Sequence, residues 1–177
     1  MRFIVTRGFP LLVVIASITV ASLAMAEVAN RYGGQVLLFN KRPPSRWAND
    51  GVFHRFVSQH KVMSVNEQEN GNWRIEYMAF FKRPVNDREV TVRFYNAQDS
   101  SGRYLTSYTL YLNDMRQRIV GGAVTLERPD FQPNRYYKIT VANQGRTLAQ
   151  LTKFALTGTE PERNGEVNFT LEETRGH

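Results

Sequence analysis

The sequence predicts a mostly β protein, an antiparallel β-sandwich of about seven to eight strands with one short N-terminal helix. Three observations predict it. From residue 62 onward, apolar residues recur at alternate positions in one short run after another, and alternate residues of a strand share a face. Gly, Asn, Asp, Pro and Ser separate those runs at regular intervals, which is turn chemistry. Only residues 50–61 carry a helical apolar period.

The chain opens with Arg2 and Arg7, then runs uncharged from Gly8 to Ala26 through the apolar centre Leu11-Leu12-Val13-Val14-Ile15. Ala24 and Ala26 put small residues at −3 and −1 before Glu27, the pattern a signal peptidase accepts. Residues 1–26 are therefore expected to be a signal peptide cleaved after Ala26, and the mature protein to be periplasmic or secreted. The competing reading is an uncleaved anchor, because the uncharged stretch approaches the length of a membrane span. Pro10, Ser17, Thr19 and Ser22 dilute its apolarity. Membrane contact is expected only if the leader stays.

Of 177 residues, cleavage removes 26 and leaves 151, enough for one domain with a sizeable core. The chain has no cysteine, so packing alone must stabilise it, and thiolate metal sites, thiol nucleophiles and lipoprotein anchoring are excluded. The 23 Lys and Arg face 16 Asp and Glu; without Arg2 and Arg7 the balance is 21 against 16, a net charge of +5. That excess suits solubility and, as a second reading, anionic partners.

Residues 27–50 read as an irregular basic, proline-containing arm. Gly33-Gly34 forms a joint, Gln35 to Phe39 offers one short strand, and Lys41-Arg42-Pro43-Pro44-Ser45-Arg46 breaks any element. Residues 51–172 read as a single sandwich domain, with a short helix near 51–60. Phe53, Phe56, Val57 and His60 stand at i, i+3, i+4 and i+7, with Asn49 or Asp50 as the candidate N-cap. Val62 to Val65 reads as a strand. Trp73 to Phe81 begins alternating and becomes apolar on both faces, as in a central strand.

Strands follow around Val90, Val92 and Phe94, and from Tyr104 to Leu112. The run Arg118 to Leu126 is interrupted by Gly121-Gly122, which signals a bulge or a close approach. Tyr137, Ile139 and Val141 alternate next, and Asn143-Gln144-Gly145-Arg146 has hairpin chemistry before Leu148 to Leu156 returns. A last strand is expected around Val167, Phe169 and Leu171, before a polar tail at 173–177.

Leu126, Pro133-Asn134, Tyr137, Ile139 and Val141 together resemble the E–F corner of immunoglobulin-like and fibronectin type III domains. The resemblance implies an immunoglobulin/fibronectin-III-like sandwich in which a corner tyrosine buries its ring and ties its hydroxyl to upstream backbone; Tyr136 could take that role instead. It carries no function. The disulfide and tryptophan pattern of antibody domains is missing.

Motifs of chemistry are sparse. His54 and His60 stand six residues apart, about 120° round a helix and about 9 Å along it, too far to share a metal. The expectation is a half-buried His60 beside Phe56 and a solvated His54. There is no His-Glu-x-x-His, no Gly-x-Ser-x-Gly and no EF-hand loop. Gly121-Gly122 lacks the Lys-Ser/Thr of a phosphate loop. Glu67 with Glu69, or Asp87 with Glu89, could pair as acid and base only if burial raised one pKa. Asn168-Phe169-Thr170 fits a glycosylation acceptor. No cofactor is implied.

Arg93 with Tyr95, and Tyr136 with Lys138, should share outward strand faces. Such basic-aromatic sets can bind glycans or single strands of nucleic acid; export and the lack of an RNP-type motif argue against nucleic acid. The expected function is a non-enzymatic binding or assembly module of the cell envelope or secreted milieu, working through a protein partner. Its candidate interface residues are Arg42, Arg46 and Trp47 in the arm and Arg93, Tyr95, Tyr136 and Lys138 on the strands. Trp47 is either an interface anchor or a plug on the core. The alternatives are a binder of an anionic envelope polymer or glycan through the basic-aromatic face, and a hydrolase with an unrecognised site.

Overall fold

The computed structural model describes residues 26–98 and 102–160. The leader before Ala26, the strand expected around Val167, Phe169 and Leu171, and the tail lie outside the described residues. In chain order the elements are α1 (Ala26–Arg31), β1 (Val36–Phe39), α2 (Asp50–His60), β2 (Lys61–Val62), β3 (Ser64–Asn66), β4 (Trp73–Phe80), β5 (Glu89–Asn96), β6 (Tyr104–Tyr111), β7 (Ile119–Leu126), β8 (Arg135–Asn143) and β9 (Arg146–Thr157). Among the described residues the strands form two sheets, ordered β2-β1-β4-β7 and β3-β9-β8-β5-β6. The sheets close on one core and make a mostly β, sandwich-like fold.

That core is built from the alternating positions. Trp73, Ile75 and Tyr77 of the first sheet meet Phe94, Tyr137, Ile139, Phe154 and Leu156 of the second. The opposite face of the first sheet is also buried. Leu37, Phe39, Met78, Phe80 and Ile119 pack under Val28 and Ala29 of α1 and Phe53 and Val57 of α2. Two covered faces explain why the end of β4 is apolar at every position. The Asn49 side chain caps α2 by accepting from the Val52 N–H at 3.0 Å, as its residue type suggests.

Three features differ from the sequence reading. Residues 27–50 are not only an arm. β1 is an inner strand between β2 and β4, buried at all four positions. Its flanking Gly-Gly and Pro-Pro pairs look like linker chemistry, yet four consecutive apolar residues are soluble only when both faces are covered. The preceding α1 has six residues, too short for a sequence period to reveal. The strand expected over Val62–Val65 is divided. β2 pairs with β1 at Leu38↔Val62, the chain turns at Met63, and β3 pairs with β9 at Ser64↔Ala155. One residue thus carries the chain from the edge of one sheet to the edge of the other. This sets β3 parallel to β9, where an all-antiparallel sandwich was expected.

Gly122 makes a close approach without a bulge. The β4–β7 register runs unshifted from Trp73↔Leu126 to Phe80↔Ile119. A Cβ at Gly122 would lie 2.9 Å from the Tyr77 hydroxyl, which accepts a hydrogen bond from the Tyr108 hydroxyl at 2.7 Å. Burial pushes both phenols up from their ordinary pKa.

Two ties lock the crossovers between sheets. The Tyr137 hydroxyl accepts from the Gln132 N–H at 2.7 Å and donates to the Gln132 carbonyl at 3.2 Å. Its ring is buried against Phe131 and Phe154. At the end of β9, the Trp73 indole N–H donates to the Thr157 carbonyl at 2.9 Å, and the Arg128 guanidinium lies 5.4 Å over the Trp73 ring. Arg128 donates to Glu67 and to the Thr159 carbonyl, and Glu67 accepts from the Thr159 N–H at 2.8 Å.

Candidate functional site

Both helices pack on the first sheet, so among the described residues the outer face of the second sheet is the one no helix covers. It is built by the alternate residues of β5, β6, β8 and β9 that point away from the core. Strand register makes Arg93 the neighbour of Ser107 and Thr140, and Tyr95 the neighbour of Tyr104 and Lys138. A register shift beside Tyr95 brings Tyr104 opposite it, and the two rings meet edge to face at 5.9 Å. The Lys138 ammonium lies 5.6 Å from the Tyr95 ring centre. The Lys153 ammonium lies 3.9 Å over the Tyr136 ring, close enough for cation–π attraction. The Tyr136 backbone is held from the neighbouring turn, its N–H donating to the Gln98 side chain at 3.1 Å.

Three tyrosines on this face or its rim are solvent-exposed: Tyr104 at 54 %, Tyr111 at 72 % and Tyr136 at 43 %. β6 forms the rim, paired with β5 on one side only among the described residues. Its sequence, Tyr-Leu-Thr-Ser-Tyr-Thr-Leu-Tyr, carries no charge. Edge strands that must stay unpaired usually carry charge, proline or a bulge to block other strands. The bulge here lies on the paired side, against β5.

The structure divides the seven residues singled out from sequence. Arg93, Tyr95, Tyr136 and Lys138 come together on the open face. Arg42 lies on the other side of the sandwich, lining a cleft with Arg74 and Glu76, and Arg46 is exposed in the segment before α2. Trp47 takes the plug role, packing edge-on against Phe53 at 5.0 Å and Phe56 at 5.1 Å. Sequence reasoning missed Lys153, which lies diagonal to Tyr136 across the β8–β9 pair, with Ala155 directly opposite, because a strand's own pattern does not name its cross-strand neighbours.

The residues with chemical potential are engaged structurally. His60 is half-buried beside Phe56, with ring centres 4.6 Å apart. His54 is half-buried too, instead of solvated, because its Nδ1 meets the Tyr32 hydroxyl at 3.2 Å. Ser58 and Lys61 stand at a Ser-x-x-Lys spacing, but the Ser58 hydroxyl donates to the Arg55 carbonyl at 2.8 Å. Glu67 is held below the usual carboxylate range, chiefly by the Thr159 N–H and then by Arg128. Asp87 is held low by the Asn143 amide and the Arg88 N–H. A general acid needs the opposite shift. Glu76 is buried on the outer side of the helix-covered sheet, with one oxygen accepting from Arg74 at 3.0 Å. Among the described residues no three His, Asp or Glu side chains gather as a metal site.

No protein-family model and no curated protein matches this chain.

Proposed function

We propose that the protein is an exported, non-enzymatic binding module of immunoglobulin-like or fibronectin-III-like architecture, docking a protein partner of the envelope or secreted milieu. Its docking surface is the open face with the β6 edge. The observation that carries this reading is the asymmetry of cover. One outer face is closed by helices, while the other presents exposed tyrosines beside an uncharged rim. Tyrosine gives a large amphipathic contact at low entropic cost, and a free edge can accept a partner strand. The architecture draws support from the four- and five-stranded sheets, the chain switching sheets at Met63, and the Tyr137 tie at the corner before β8. The export step rests on the leader sequence.

Glycan or anionic-polymer binding on the same face is the weaker reading, since Lys153 and Lys138 already occupy the Tyr136 and Tyr95 rings. Cross-linking in cells, followed by capture of the tagged protein, tests the proposal. Tyr104→Ala and Tyr136→Ala should fold normally and lose a stoichiometric envelope partner, while Arg42→Ala on the opposite side keeps it. Retention of that partner by both tyrosine variants overturns the assignment of the open face.

A further inference from the structure

A second surface owes nothing to the aromatic face. The chain leaving β4 and the turn from β8 to β9 border a cleft of about 770 Å³, with Gly34, Gln150, Lys82, Arg83 and Arg146 among its lining residues. Among the described residues no Asp or Glu lines it. Among the described residues the ion pairs are Arg74–Glu76 and Arg128–Glu67, so none of these three cations has a carboxylate partner. Asp87, next in sequence to the lining Asn86, spends its carboxylate on the Asn143 and Gln144 amides and the Arg88 N–H.

Lys82 is positioned as well as charged. Arg118 holds its backbone, donating to the Lys82 carbonyl at 2.9 Å and to the Phe81 carbonyl at 3.3 Å. Its stem lies along Gly33 and Gly34. A Cβ added at Gly33 would stand 3.1 Å from the Lys82 Cγ, and one at Gly34 3.2 Å from the Cε. The glycine pair read as a flexible joint is therefore the bed on which this lysine lies. Gly34 is pinned to β9 by the Gln150 N–H donating to its carbonyl at 3.0 Å.

We infer that this cleft is an oxyanion site, taking a ligand with two or more phosphate or carboxylate groups. Like charges gathered in a concave surface repel one another and focus a positive potential there. A multivalent anion relieves that repulsion, and arginine presents a fork matched to both kinds of oxyanion. The volume suits a small ligand or a short polymer segment. Sequence reading overlooked the site because Lys82 and Arg83 belong to one turn and Arg146 to another, and only the sandwich brings the two turns to the same end.

Calorimetric titration of the mature protein at low salt tests this, with inorganic pyrophosphate as the phosphate probe and a short oligogalacturonate as the carboxylate probe. At least one probe should bind. Lys82→Gln and Arg146→Gln should each weaken binding on the order of tenfold, at unchanged Tm. Lys138→Gln and Lys153→Gln on the open face should leave it unaltered. The arm that binds decides between phosphate and carboxylate. Absence of binding by both probes, or equal loss in the open-face variants, overturns the inference. Either result leaves the docking role of the open face standing or falling on its own test.

Discussion

At the scale of single residues, the Tyr77–Tyr108 pair sets a polar contact against the core. Tyr77 is buried and Tyr108 half-buried, their hydroxyls satisfy each other at 2.7 Å, and Gly122 leaves Tyr77 just enough room. Tyr77→Phe removes the acceptor from Tyr108, and Tyr108→Phe removes the donor from Tyr77. Each should cost about 1–3 kcal/mol in urea unfolding, because one hydroxyl is left buried and unpaired. The double variant should cost clearly less than the two losses added. Additive losses would mean that the hydroxyls find other partners. A glycine inside an alternating strand announces a close approach, so this site was half legible in the sequence. Which ring fills the space was not, since Tyr77 lies forty-five residues upstream.

At the scale of elements, α2 and the segment before it act as a lid on the first sheet. Trp47 sits where Phe53 and Phe56 emerge from the helix. Trp47→Ala should lower stability by about 2–3 kcal/mol through lost aromatic burial and leave capture of the proposed partner unchanged. A variant of normal stability that loses the partner would restore Trp47 to the interface. The helix itself was readable from its 3.6-residue period and from a capping residue at Asn49 or Asp50, of which Asn49 caps it. β1 was visible as a short apolar run, but its place in the middle of a sheet was not. Four residues carry no information about their neighbours, and the glycines and prolines around them resemble a linker.

At the scale of the whole molecule, both sheets are clasped at one end. Trp73, Arg128, Glu67 and Thr159 join the start of β4, the turn after β7 and the end of β9. The Glu67 carboxyl is lowered in the fold, first by the Thr159 N–H and then by Arg128. Its stabilising contribution is therefore complete above the ordinary glutamate pKa of about 4.3 and is lost as pH falls from there toward the lowered value. Asp87, lowered by Asn143 and Arg88, acts with the same sign. Thermal unfolding followed from neutral pH into acid should show Tm falling below about pH 4.5, less steeply in Glu67→Gln than in the parent. Parallel curves would remove Glu67 from the acid response.

The sequence by itself determined the β-rich class, the one well-capped helix, most strand positions and a tyrosine corner at Tyr136 or Tyr137, between which the structure chose Tyr137. Each depends on local chemistry: alternation, a capping side chain, or a tyrosine set just after a turn. Only the tertiary structure decided that Met63 divides one apparent strand between two sheets, and that β3 runs parallel to β9. It alone chose the plug position for Trp47, packed against the core, brought Tyr104 and Lys153 beside the predicted outward tyrosines, and gathered Lys82, Arg83 and Arg146 at one cleft. The physical reason is that sheet pairing joins residues by register and not by sequence distance, so a strand's pattern reveals which face is buried but not against what.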